Sequence, residues 1–408
     1  MRLGGAPSAS GKKLATRWHL ITGEYPPSPG GVSDYSRTVA RGLAHSGDDV
    51  HVWAPSFPGE VADTGVEVHR LPDRFGLSSL AKLNRGIEAS SSSRILVQYV
   101  PHAFGWKAMN VPFCLWLWTR RGNPIDVMFH EVAFPIARSQ PHTHNVLGVV
   151  NRAMAAIVAR SAERIFVSTT SWEPQLRSMI AGSRVIRCVP IPSSVEVVRD
   201  TARTTAIRNA LASGRMLVGH FGTFSSSIAD TLAGAITKIA AQRGDATFLL
   251  LGRNSDAFRE RLLSADASLA GRVHATGELN AAELSNHISA CDLMLQPYPD
   301  GISTRRTTAM AALSHGVALV TTAGHLTEHF WSDASAIAMA PARDSAALAT
   351  ETIRLLDDQR DRNRLATAGR ALYAAKFDVA FTITALRNIF AADAALVNAH
   401  HYSDERSA

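Results

Sequence analysis

Apolar residues recur along this chain in two rhythms. Short, nearly continuous apolar runs alternate with longer stretches in which apolar residues return every three or four positions. The first rhythm is that of strands buried on both faces, and the second that of amphipathic helices. Strands are predicted at 18–22, 50–54, 66–71, 94–99, 125–130, 164–168 and 185–189. Tyr35, Val39 and Leu43 fall on one face of a predicted helix over 35–45, and Gly47 stands where that helix should stop. Pro190, Pro192, Ser193 and Ser194 then interrupt the pattern, and it restarts. Strands are predicted at 216–222, 246–252, 272–275, 293–296 and 317–321, with helices at 228–242, 281–291 and 304–315. From Ser345 an Ala-rich tail reads as three helices reaching about 399. No internal repeat interrupts the alternation.

Strands alternating with helices imply parallel sheets with right-handed crossovers. The fold class is therefore α/β, with two doubly wound, Rossmann-like domains in one chain of 408 residues. The expected organisation is a small, polar, basic leader over 1–16, disordered by composition, and an N-terminal domain over 17–198. A C-terminal domain over 199–375 and a final helix and tail over 376–408 follow. Ligands of open α/β sheets bind at the carboxyl ends of the strands, so the ligand is expected between the two domains.

Composition narrows the class. Hydrophobic residues make up 46% and charged residues 19%, which excludes a disordered chain. The formal net charge of +7 suits an anionic partner such as a nucleotide diphosphate or an anionic membrane surface, or reflects Arg-rich composition alone. No nucleic-acid module is recognisable, so nucleic acid is not expected as a partner. The three cysteines, Cys114, Cys188 and Cys291, are far apart and show no metal-ligand spacing. An odd, sparse count fits a reducing compartment. No run reaches the roughly 20 apolar residues of a spanning helix. The expected location is the cytoplasm, with peripheral attachment to the inner membrane face as an extension.

Four stretches carry candidate chemistry. In GEYPPSPGGVSDY a strand ends, Gly30-Gly31 follows and a helix starts, with Ser33 or Asp34 as N-cap. The turn either holds an anion on backbone N–H groups or is an ordinary capped loop. His130 closes the strand IDVMFH, with Glu131 behind it. It either meets a sugar hydroxyl, relays a proton, or serves as a scaffold histidine. Gly222-Thr223-Phe224-Ser225 follows another strand and offers N–H and hydroxyl donors to a diphosphate. In the segment 297–316, Asp300 and Gly301 run into Ser303-Thr304-Arg305-Arg306, placed in the first turn of a helix. The helix dipole disfavours two cations there by about 0.3–1 kcal/mol each, and a bound anion would offset that cost. The alternative is a solvated basic face, or pairing with Asp300.

Taken in order, these stretches resemble the retaining GT-B glycosyltransferases of family 4, the group 1 glycosyl transferases. The likeness rests on the PP…GGV loop of the first half, on His130, on Gly277-Glu278-Leu279, on Cys291-Asp292-Leu293…Pro297, and on Thr308-Ala309-Met310-Ala311…Gly316-Val317. It covers 18 to about 330. Two departures stand out. Asp300 matches the first glutamate of the family's paired-Glu motif, but Thr308 replaces the second, which contacts the ribose. Thr223 and Ile228 stand where the family commonly has Arg and Lys, so Arg305 and Arg306 are expected to replace those cations.

The resemblance implies sugar transfer from a nucleotide-diphosphate sugar with retention, without metal or other cofactor, to a glycan, lipid-linked or small-molecule acceptor. It implies catalytic roles for His130, Asp300, Arg305 and Arg306. Donor binding falls to Gly30, Gly31, Gly222, Thr223, Ser225, Gly252, Arg253, Gly277, Glu278, Tyr298, Gly301, Ser303, Thr304 and Thr308. Acceptor binding falls to Glu24, Tyr25, Tyr35, Tyr99 and His102, near the aromatic stretch 99–121. That stretch is either a membrane-docking element or a buried helix. The competing readings are a catalytically inactive relative that binds a nucleotide or glycan as an assembly subunit, and an epimerase or phosphorylase of the same fold.

Overall fold

The structure is a computed structural model that describes residues 15–59, 61–88, 93–180 and 184–388. The leader expected over 1–16 and the tail beyond 388 lie almost wholly outside the described residues. The chain forms two compact units, one of Met1–Phe166 with Pro174–Ile186, the other of Val167–Glu173 with Arg187–Ala408.

The first sheet has seven strands: β1 Arg17–Thr22, β2 Asp49–Pro55, β3 Val66–Leu71, β4 Ser93–Tyr99, β5 Ile125–Phe129, β6 Arg164–Val167 and β7 Ile186–Cys188. Their order is β3-β2-β1-β4-β5-β6-β7. The second sheet has six: β8 Met216–Phe221, β9 Ala246–Leu251, β10 Val273–Ala275, β11 Leu293–Gln296, β12 Ala318–Ala323 and β13 Ala338–Pro341, in the order β10-β9-β8-β11-β12-β13. Its pairings are all parallel. Both are Rossmann-like sheets, as the alternating pattern predicts.

Burial explains the apolar runs. Every residue of β9 (ATFLLL) is buried, because helices cover both faces. Phe248 and Leu250 join the core under Leu232 and Ile236, while Leu249 and Leu251 join the opposite core with Met310, Leu313 and Trp331. By contrast β3, at a sheet edge, buries only Leu71 fully. The helix Gly31–His45 buries Val39, Ala40 and Leu43 and ends at Gly47, whose φ of +85° suits glycine. The tail forms three helices, Ser345–Asp357, Gln359–Lys376 and Val379–Arg387.

Candidate functional site

In the second sheet the strand order reverses between β8 and β11. The loops leaving the carboxyl ends there diverge and leave a crevice, which is where open α/β sheets bind ligands. Gly222 follows β8, Gly252 follows β9, and Gly277 stands two residues beyond β10. The Gly222 N–H donates to the Leu251 carbonyl at 3.0 Å, and the Gly252 N–H to the Gly277 carbonyl at 3.2 Å. A Cβ on Gly252 would lie 2.5 Å from the Gly222 carbonyl oxygen, and its φ is +111°, so only glycine fits. Thr223 and Ser225 are exposed. Ser225 is the N-cap of the helix Ser226–Gln242, makes no side-chain cap bond, and the first turn holds no acidic residue. That helix start presents unopposed positive character. At the rim, Arg253 pairs with Glu278 at 3.2 Å.

The loop after β11 corrects part of the sequence reading. Its helix runs Thr307–His315 with Arg306 as N-cap, so the arginines stand just before the first turn and not within it. Both guanidinium groups bind Asp300: Arg305 Nη2 lies 3.3 Å from one carboxylate oxygen, and Arg306 holds the other. Arg305 also lies over the Trp172 ring at 5.5 Å and Arg306 over Tyr298 at 4.6 Å. Two guanidinium groups thus share one carboxylate in the loop that follows β11.

Several expected donor ligands are instead interior. Ser303 is fully buried. The Thr304 N–H donates to both oxygens of buried Glu328, at 3.2 and 3.3 Å, and its hydroxyl lies 2.8 Å from Glu328 and 2.7 Å from the Ser168 carbonyl. Glu328 also accepts from the Thr169 hydroxyl at 2.6 Å and the Trp331 indole at 2.9 Å. A buried carboxylate needs such partners, and Thr304 is one of them. Half-buried Thr308 bonds the Tyr298 hydroxyl at 2.7 Å. Burial pushes that phenol up to about 12. Gly301 is a packing position: its φ is +89°, and a Cβ would lie 2.3 Å from the Gly324 nitrogen.

Sequence reasoning passed over His220, near the end of β8. Its Nδ1–H donates to the Leu295 carbonyl of β11 at 2.8 Å, across the switch point. That fixes the tautomer and leaves Nε2 as an acceptor, buried and unbonded, facing Gly222. Burial lowers its pKa to about 4. A histidine ending a strand was the signal that singled out His130, and it applies equally here.

In the first sheet the order reverses between β1 and β4. The helix after β1 starts from Gly30, not from Ser33 or Asp34, and Ser33 instead donates to the Ser28 carbonyl at 2.5 Å. A Cβ on Gly30 would meet a Glu24 carboxylate oxygen at 2.3 Å, and Asp34 lies in the first turn. Burial raises the pKa of both acids. This helix start already carries two carboxyl groups, which argues against Gly30 and Gly31 as diphosphate ligands.

His130 follows β5. Its Nε2 lies 2.8 Å from Gln98 Oε1, its ring meets Tyr35 edge-on at 4.8 Å, and its backbone N–H donates to the Tyr99 carbonyl. Burial lowers its pKa to about 3, so it is neutral near pH 7 and suits hydrogen bonding better than proton relay. Tyr25 is buried and donates to Asp63 at 3.1 Å. Tyr99 is wholly buried among Phe104 and Phe129, and Tyr35 is buried as well. None of the three tyrosines presents an open surface to an acceptor. His102 is half exposed, 3.7 Å from Glu131.

The profile of Glycosyltransferase Family 4 matches residues 29–236, just over half of the chain, and that of Glycosyl transferases group 1 matches residues 215–358. The chain belongs to the glycosyltransferase family these profiles describe. Solved structures share its GT-B fold. Sucrose-phosphate synthase from Thermosynechococcus elongatus superposes with a TM-score of 0.67 at 18% identity, over 90% of this chain and 97% of that one. HepE from Anabaena, solved with UDP and glucose, gives 0.65 at 16%, over 91% and 98%. A UDP-forming α,α-trehalose-phosphate synthase from Burkholderia vietnamiensis gives 0.61 at 13%, over 91% and 96%. No curated protein matches the sequence significantly. This glycosyltransferase thus has its candidate donor residues Gly222, Thr223, Ser225, Gly252, Arg253, Gly277 and Glu278 together at one end of the second sheet. Asp300, Arg305 and Arg306 follow the adjoining strand β11.

Proposed function

We propose that this glycosyltransferase moves a sugar from a nucleotide-diphosphate sugar to a glycan or lipid-linked acceptor, with retention as in family 4. The observation that carries the donor assignment is the second sheet's switch point. Close-packed glycine turns, an uncapped helix start and the Asp300–Arg305–Arg306 group follow the strands there. Backbone amides from the 222–225 turn take the diphosphate, and the arginines offset the charge that develops on the leaving group. Protein donors fill that role without a metal ion. Asp300 and His220 Nε2 accept hydroxyl donors from the donor substrate, and Arg253 and Glu278 lie toward the base. The structures of HepE with UDP and with UDP-glucose favour a uridine donor.

The first unit is assigned the acceptor and the sugar hydroxyl held by His130, with Glu24 and His102 at the acceptor. No helix among the described residues is long and apolar enough to cross a membrane. The helix Val111–Thr119 buries Phe113, Cys114 and Leu117, while Leu115, Met109 and Trp106 are exposed. An exposed apolar edge with the exposed Arg121 beyond its helix favours contact with an anionic membrane surface at the inner face, where a lipid-linked acceptor would reside. Incubating the protein with UDP-sugars and candidate acceptors, in EDTA, tests the activity. An α-linked product from an α-configured donor, read by NMR, establishes retention, and a β-linked product overturns it.

A further inference from the structure

The first sheet carries a cluster that sugar transfer does not use. Register places His19 opposite His51, His51 opposite Glu67, and Trp53 opposite His69. Side chains alternate along a strand, so His19, Asp49, His51, Trp53, Glu67 and His69 share one face of β1–β3. No spacing in the sequence suggested a metal site, because the residues come together only through strand pairing.

Distances within the cluster are those of a ligand shell. His51 Nδ1 lies 3.0 Å from His69 Nε2. The Glu67 carboxylate bridges them, one oxygen 3.4 Å from His51 Nδ1 and the other 3.5 Å from His69 Nε2. Donors bound to one tetrahedral ion at about 2.0–2.2 Å lie about 3.3 Å apart. The supporting groups are also in place. Arg17 Nε holds one Asp49 oxygen at 2.5 Å, and the other faces His51 Nε2 at 3.3 Å. Of the two His51 nitrogens it is Nδ1 that faces Glu67 and His69. His69 is held by stacking on Trp53, 4.1 Å between ring centroids and 16° from parallel. His51 and His69 are partly exposed and Glu67 is exposed, so an ion can enter from solvent. His19 is a neighbour and not a ligand: its Nδ1 accepts from the Trp53 indole at 3.1 Å.

We propose that His51, Glu67 and His69 bind a divalent transition-metal ion of the zinc class, with water completing the shell. Two imidazoles and one carboxylate suit Zn²⁺, Ni²⁺ or Cu²⁺ and not Mg²⁺ or Ca²⁺. The ion ties edge strand β3 to β2, and binding to the folded state alone raises stability. The site is separate from the proposed donor site, so sugar transfer in EDTA and metal binding stand or fall independently.

The test titrates the full chain with zinc sulfate by calorimetry, with cobalt chloride as an optical probe. The reference is the H400A/H401A chain, which removes an adjacent histidine pair. About one equivalent of Zn²⁺ should bind in the micromolar range, raise Tm and change Trp53 emission, and Mg²⁺ should do neither. E67Q should weaken binding about tenfold and H69A at least a hundredfold. Glu67 is exposed, so E67Q tests the site without disturbing the core. Binding that survives both substitutions unchanged, or no saturable binding up to millimolar zinc, overturns the proposal and leaves His51 and His69 as a plain hydrogen-bonded pair.

Discussion

Both units contain the same local design: a buried strand, a glycine turn and a long helix. The turns nevertheless differ in what occupies the helix start. At Gly30 the Glu24 carboxyl group closes on the backbone and Asp34 stands in the first turn. At Ser225 there is no acidic residue in the first turn and no side-chain cap, and an arginine pair follows the adjoining strand β11. A helix start attracts anions through its free N–H groups. Neither start has a side-chain cap, but carboxyl groups crowd the first and none stands in the first turn of the second, which is the one left open to an anionic ligand. The strand–glycine–helix pattern therefore identifies two candidate anion sites, and only side-chain charge brought in by the fold separates them.

The most disruptive way to break the second turn is Gly252→Ala. The new Cβ meets the Gly222 carbonyl at 2.5 Å in a backbone conformation that L residues avoid. A loss of about 2–4 kcal/mol of stability is expected from strain of this kind, together with loss of donor binding. Urea unfolding and nucleotide titration measure the two; unchanged stability would show that the turn gives way easily.

Removing both arginines comes next. R305A/R306A should weaken donor affinity about a hundredfold, since hydrogen bonds to charged groups contribute about 1.5–3 kcal/mol each. Calorimetry with the donor nucleotide checks this, and unaltered affinity would leave the arginines a purely structural role.

Exchanging the character of the two turns sharpens the contrast. Ser225→Asp gives the second helix start a carboxylate and should cut donor affinity about tenfold by repulsion, while Tm holds or rises slightly. Glu24→Gln in the first unit should leave donor affinity unchanged and alter acceptor KM. The same loss of donor affinity from both changes would erase the distinction.

The last effect concerns acid. His130 and His220 have folded pKa values of about 3 and about 4, lowered by burial, against about 6.5 in the unfolded chain. Below that value the unfolded chain takes up protons first, so stability present above pH ~6.5 is lost as pH falls toward 4. The raised pKa values of Glu24 and Asp34 act in the opposite sense and soften the slope. His220→Asn keeps a donor to Leu295 and removes the titrating ring, so its Tm should fall less steeply over that range. An identical slope would mean that His220 contributes nothing to acid sensitivity.

What the sequence revealed follows from range. The strand–helix alternation, the Gly47 stop and the glycine turns are set by residues a few positions apart, and these were legible. The partners of polar side chains were not. Thr304 looks like a phosphate ligand until Glu328 reaches it from 24 residues away, and Thr169 reaches the same carboxylate from 159 residues away. The arginine pair drew notice as cations in a helical first turn, but its geometry depended on a helix that starts only at Thr307. The three tyrosines carried an aromatic signal that fits a core and an acceptor surface equally, and burial decided for the core. His51, Glu67 and His69 were invisible because strand register has no trace in sequence spacing.

The account rests on the second unit's turns holding a nucleotide diphosphate. The most direct test is calorimetric titration of the intact protein with UDP, GDP and ADP in EDTA, repeated on S225D. The account predicts saturable binding of one nucleotide, UDP first, about tenfold weaker in S225D. Equal affinity in S225D, or no binding of any nucleotide at several millimolar, would contradict it.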